Sequence, residues 1–152
     1  MKIALLILII CCVGCVNQPV ELADNPSITT YINTKYGYQV LFPDEWIGKV
    51  NVIEHDKYTQ FVYEKVPVDM GTIVSISVYN LTEWEERSNM VCCSSSEITR
   101  SDNYVFIENM VLDMPFVCSI DKEVIGNCKK KEKEYTALTR AIDFNKHFTL
   151  TN

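Results

Sequence analysis

The stretch Thr72-Ile73-Val74-Ser75-Ile76-Ser77-Val78-Tyr79 places Val74, Ile76 and Val78 in one phase and Ser75 and Ser77 in the other. A period of two is that of a β-strand with one buried face. Ile73 is the single slip in that phase. Upstream, Val68-Asp69-Met70-Gly71 makes a turn, and Tyr58 to Val66 reads as a neighbouring strand with Phe61 and Tyr63 on one face. Lys49 to His55 is a further strand. Tyr36 to Pro43 is another, rich in aromatic and branched residues and ended by proline, after which Asp44-Glu45-Trp46 turns and tucks an indole back.

Downstream, Thr82-Glu83-Trp84-Glu85 has the capping-box pattern, a threonine with glutamate three residues on, which predicts a short helix from Glu83 towards Val91. Trp84 and Arg87-Ser88 then lie about a turn apart. Glu97 to Met110 reads as a hairpin turning at Ser101-Asp102-Asn103, and Asp113-Met114-Pro115-Phe116 breaks the pattern. From Lys129 to Phe148, Tyr135, Leu138, Ala141, Ile142 and Asn145 form a helical stripe opposite a charged face. Strands followed by a terminal helix imply an α+β fold, an antiparallel sheet against which the C-terminal helix and the short middle helix pack.

The chain has 152 residues, enough for one domain with a core of its own. Met1-Lys2 precedes eleven uncharged, mostly apolar residues, Ile3 to Val13, and then Gly14-Cys15 and the polar Asn17-Gln18-Pro19. A spanning helix needs about 20 apolar residues. The plan is instead that of a signal peptide. Cys12-Val13-Gly14-Cys15 resembles the lipobox of bacterial lipoproteins, with Cys12 where leucine is usual. That resemblance implies cleavage before Cys15 and lipid, such as palmitate, on its sulfur. Residues 1–14 are then a lipoprotein signal peptide, 15–30 the lipidated cysteine and a flexible tether, and 31–152 a single domain held outside the cytoplasm on a cell membrane or outer membrane. Val16 is not the aspartate associated with retention at the inner membrane.

Tyr36-Gly37-Tyr38, Phe42-Pro43 and Trp46, following such a leader, resemble the opening of small bacterial lipoproteins with a PsbP/DcrB-like fold. The later order of strands, short helix, hairpin and terminal helix ending in an aromatic such as Phe148 is similar. The resemblance spans most of residues 31 to 148 and implies an antiparallel sheet with packed helices, in an accessory or binding domain without catalysis. It carries no functional residue. Gly37 also has a physical reading, as a position of positive φ or of close packing beside the Trp46 ring.

Beyond Lys2, 13 basic and 20 acidic residues remain, a formal charge of −7. Nucleic acid and anionic membrane surfaces recruit clustered positive charge, so neither is expected as an electrostatic partner. Lys129-Lys130-Lys131-Glu132-Lys133-Glu134 mixes both signs, as a solvated helix face does. Glu85-Glu86 suits a helix start. The Asn80-Leu81-Thr82 sequon matters little in a bacterium.

Cys92, Cys93, Cys118 and Cys128 follow Cys15. No pair has the two-to-four-residue spacing of common zinc sites, so no metal and no cofactor is expected. Outside the cytosol thiols oxidise, and Cys118 with Cys128 is one candidate bridge, worth about 3 kcal/mol on the chain-entropy model. Free buried thiols, or pairing with Cys92 or Cys93, are the alternatives. Among the four cysteines after Cys15 there is no Cys-x-x-Cys, Gly-x-Ser-x-Gly does not occur, and the two imidazoles, His55 and His147, read as structural.

The expectation is therefore a lipid-anchored, non-catalytic envelope lipoprotein that binds a protein, polymer or small ligand. Two other classes compete: a thiol-dependent envelope enzyme using Cys92 or Cys93, and a tethered inhibitor or immunity protein with an exposed apolar patch.

Overall fold

The computed structural model describes residues 29–66, 71–88, 94–111 and 122–151, with the backbone alone over 122–126. The leader, Cys15, Cys92, Cys93, Cys118, the turn at 67–70 and the break at 113–116 lie outside the described residues.

The fold is α+β, with two antiparallel sheets. The larger has the order β3-β4-β5-β7-β6, from β3 (Val50–Glu54), β4 (Tyr58–Tyr63), β5 (Thr72–Asn80), β6 (Ser95–Arg100) and β7 (Tyr104–Met110). The smaller has the order β1-β2-β8, from β1 (Thr30–Asn33), β2 (Tyr38–Leu41) and β8 (Phe148–Leu150). Helix α1 (Leu81–Arg87) follows β5. Helix α2 (Lys122–Ala141) and the single turn α3 (Phe144–His147) lead into β8.

Ile73, the slip in the decisive strand, marks a bulge. Phe61 pairs with Val74 but Val62 pairs with Thr72, so β5 holds one extra residue there. The bulge lets Ile73 and Val74 both join the core while Thr72 rejoins the opposite face. The inner face of the large sheet therefore carries Phe61, Tyr63, Ile73, Val74, Ile76, Val78 and Phe106, all essentially inaccessible. Tyr31, Tyr38 and Val40 of the small sheet close over them, Tyr38 edge-on to Phe106 at 5.5 Å and Tyr31 edge-on to Phe61 at 5.9 Å. T-shaped pairs of this kind add about 0.5–1.5 kcal/mol each beyond area burial.

The proposed turn at Asp44–Trp46 is a 3₁₀ turn that buries the indole completely, and Trp46 Nε1 donates to the Leu138 carbonyl oxygen at 2.8 Å. Tyr135 and Leu138 of the expected stripe pack inward, and Tyr135 donates to the Thr72 carbonyl oxygen at 2.6 Å. Helix α2 is thereby fixed to the same inner face.

Local details depart from the sequence pattern. The turn at 34–37 separates β1 from β2, so the strand read over Tyr36–Pro43 is confined to Tyr38–Leu41. Gly37 does have a positive φ, of 67°, but its close neighbour is the carbonyl oxygen of Thr151, 3.1 Å from where a Cβ would sit, and not the Trp46 ring. The capping box of α1 is built on Asn80 and Glu83, one on each side of the junction with β5, rather than on Thr82 and Glu85. The long helix ends at Ala141, so Ile142 packs from a loop, Asn145 is exposed on α3, and Phe148 belongs to a strand. Asp143 accepts from Asn145 N at 3.1 Å, starting a fresh helical turn in place of the old one.

Candidate functional site

The two faces of the large sheet hold different kinds of side chain. Between the sheets, a file of hydroxyl groups runs from the core to the surface. Tyr38 Oη lies 2.8 Å from Thr59 Oγ1, Thr59 Oγ1 lies 3.3 Å from Tyr31 Oη, and Tyr31 donates to Glu54 Oε1 at 2.7 Å. A carboxylate only accepts, so Tyr31 spends its proton on Glu54, and the consistent order is Tyr38 to Thr59 to Tyr31 to Glu54. Asn33 donates to Tyr31 Oη at 3.0 Å and accepts from Tyr36 N at 3.0 Å. Burial pushes the Tyr38 phenol up to about 12, and that of Tyr31 further. No described buried side-chain donor or acceptor lacks a partner. This network is closed to ligands and locks the two sheets in register.

A second lock joins α2 to the sheet. Tyr63, wholly buried, donates to Glu134 Oε2 at 2.6 Å, and Lys65 Nζ stands 3.2 Å from the same carboxylate. The Tyr63 hydrogen bond holds the Glu134 carboxyl below its usual range, with Lys65 and Lys49 adding to it. The charged run on α2 is thus solvated at Lys129, Lys130, Lys131 and Lys133, but not at Glu134.

The outer face of the large sheet is open and polar where β4 and β5 approach α1. Helix α1 covers only part of it, seating Trp84 on Val105 and Ile107 with Tyr79 alongside. Beside the helix is an open cleft of about 400 Å³ lined by Lys57, Tyr58, Ser77, Tyr79, Glu83, Glu86 and Arg87. That volume is within the roughly 300–1,000 Å³ of small-molecule sites. Strand register places Tyr58 opposite Ser77, which fixes both on this face. The His55 ring stacks on Tyr58 at 4.1 Å and 13°, and His55 Nε2 sits 2.9 Å from Gln60 Oε1. Tyr58 remains 40 % exposed, so the rest of its ring faces solvent.

The charges of the cleft are ordered by α1. Glu83 closes the capping box with Asn80 and also meets Lys57 Nζ at 2.5 Å. Its carboxyl is accordingly held below the usual range and the Lys57 ammonium above it. Arg87 lies over the Tyr79 ring, 5.5 Å from the centroid, and forms no ion pair among the described residues. Its guanidinium fork has no hydrogen-bonded acceptor among the described residues, and its geometry suits a carboxylate, a phosphate or a sugar hydroxyl. Behind the cleft, side-chain hydrogen bonds cross the strands from Ser95 to Asn109 (2.8 Å) and from Asn109 to Ser77 (3.0 Å), which hold these polar groups in fixed positions.

Tyr36, Gly37 and Tyr38 lie at one end of β2 and Pro43 and Trp46 beyond the other, and none of them lines this cleft. Tyr36 donates to the Asp56 carbonyl oxygen at 2.6 Å, and Tyr38 and Trp46 are wholly buried. His147 is tied through Nδ1 to the Asp143 carbonyl oxygen at 2.8 Å. Cys128 on α2 is disulfide-bonded, while its candidate partner Cys118 lies outside the described residues. Among the described residues no three His, Cys, Asp or Glu side chains gather as a metal ion would require, and no helix is long and apolar enough to cross a membrane. The sequence singles out Arg87 and Glu86 only as helix residues, and Tyr58 and Tyr79 only as strand residues. Comparison with family models, with characterised proteins and with solved structures finds no match to this chain.

Proposed function

We propose that the chain is a lipid-anchored envelope lipoprotein whose domain binds, without catalysis, a polar ligand or polymer segment in the cleft between Tyr58, Tyr79 and Arg87. The PsbP/DcrB-like resemblance belongs to the same reading, through the shared order of strands, short helix, hairpin and terminal helix. The observation that carries the proposal is the state of the polar groups. The buried hydroxyls, Glu134 and the Lys57–Glu83 pair are each engaged within the fold, whereas Arg87 and the outer part of Tyr58 face an open cleft. A rigid aromatic and a guanidinium bordering one cleft are equipment for recognition. Anchoring rests on the leader and Cys15, so the cleft would work close to a membrane surface.

Two measurements test this. Intact mass of the protein from a membrane fraction should fit an acylated chain beginning at Cys15, and the acyl mass should vanish in Cys15→Ser. Purified domain should be retained by envelope polymer, with retention lost in Tyr58→Ala/Arg87→Ala. An unmodified mass would remove the anchor. Turnover of an envelope substrate, lost on mutating one residue, would replace binding by catalysis.

A further inference from the structure

The outward face of the small sheet carries no charge. Register places Thr30 opposite Leu41, and Ile32 opposite Gln39, which in turn faces Thr149, so these five side chains share that face. Ile32 is 54 % exposed and its diagonal neighbour Leu41 51 %. Two branched aliphatic side chains thus stand in water side by side on a face without charge, in a chain of formal charge −6.

We infer that this face rests on the bilayer to which the chain is anchored, a reading that depends on lipid at Cys15. The residues between Cys15 and Thr30 number fourteen, and Thr30 itself lies on the uncharged face. A coil of that length spans roughly 20 Å, and at most about 50 Å when drawn out. The tether thus enters the fold on the apolar face, which is within reach of the anchor. An acidic domain is repelled by anionic headgroups over most of its surface, and a charge-free face is the one it can bring against them. Ile32 and Leu41 are too little apolar surface to hold a free domain on lipid. A tether supplies the effective concentration that they lack. The layers also fix an orientation. The small sheet covers the inner face of the large sheet, so the Tyr58–Arg87 cleft is on the far side, presented away from the membrane.

The test uses the full acylated chain, its mass verified, in vesicles of phosphatidylcholine and phosphatidylglycerol with brominated acyl chains. Ile32→Trp and Leu41→Trp report from the face, each independently of the other, and Tyr58→Trp reports from the cleft, each read as the difference from the parent protein, in which Trp46 and Trp84 emit. Near-ultraviolet circular dichroism confirms that each is folded. Trp emission at positions 32 and 41 should shift to the blue and be quenched by the brominated chains, and emission at position 58 should do neither. Acylated protein without quenching at 32 and 41, or with equal quenching at all three positions, overturns the proposal and leaves the anchor intact. A blue shift in the unacylated Cys15→Ser chain in buffer free of lipid and detergent overturns it as well, assigning the face to a second copy if the shift fades on dilution and to residues 16–28 if it does not. An unacylated chain removes the anchor and this orientation together.

Discussion

On the inner side of β4 and β5, Phe61, Val74, Ile76 and Val78 are sealed under two tyrosines and an indole, while on the outer side of the same strands Tyr58, Ser75 and Ser77 keep contact with water. Both faces contain tyrosine, and the difference lies in what each hydroxyl and ring is joined to. Tyr31, Tyr38 and Tyr63 end in internal partners, and their rings fill the space between layers. Tyr58 and Tyr79 are backed by His55 and Arg87 and border a cleft. A residue type by itself does not separate scaffold from site. The completeness of its hydrogen bonding and packing does.

That contrast is open to attack by substitution. The largest effect belongs to the inner face: Trp46→Ala removes a fully buried ring in contact with Phe42 and Phe61, together with the hydrogen bond to Leu138. It should cost about 3–5 kcal/mol in chemical denaturation. Loss of ligand retention without such destabilisation would mean that the inner face is itself part of the site. Thr59→Val keeps the shape but breaks the hydroxyl file between Tyr38 and Tyr31, and should cost about 1–3 kcal/mol.

Titration sharpens the same point. Burial raises the native Tyr31, Tyr38 and Tyr63 phenols, whereas in the unfolded chain they ionise near 10. Their contribution to stability is therefore complete below about pH 10 and is lost as pH rises through the raised native values. Phenolate absorbance should contain a block of tyrosines that ionise only as the fold opens. For Glu134, held below the usual range by Tyr63, the sign is opposite. Its contribution is present above the ordinary carboxyl range and disappears as pH falls through the depressed native value. Tyr63→Phe should flatten that acid limb.

Smaller effects lie at the outer face. Asn80→Ala removes the cap of α1 and should cost about 1 kcal/mol, loosening the helix that carries Glu83 and Arg87 into the cleft. Tyr58→Ala loses the His55 stack and an aromatic strand position, and should cost no more than about 1 kcal/mol while abolishing retention. Equal losses of stability and binding would dissolve the distinction between the faces.

The large sheet and its core were legible in the sequence because Val74, Ile76 and Val78 of β5 keep one phase long enough to define a face, and because its neighbours are rich in aromatic and branched residues. Even the bulge left a trace, in Ile73. β1 and β8 are too short, at four and three residues, to show a period, and β8 is recognisable only through its pairing with β2. The cap of α1 is ambiguous in sequence, since Asn80–Glu83 and Thr82–Glu85 both satisfy the spacing, and the end of β5 decides between them. The cleft was not legible at all. Lys57, Tyr58, Tyr79 and Arg87 come from a turn, two strands and a helix, and only strand register and the placement of α1 bring them together.

The most direct test of the account is residue-resolved amide chemical-shift mapping as soluble glycan–peptide fragments of the envelope are titrated into the protein. Saturable shifts centred on Tyr58, Ser77, Tyr79 and Arg87, absent in Arg87→Ala, are the expected result. Saturable shifts centred elsewhere, or none at any fragment concentration, would contradict it.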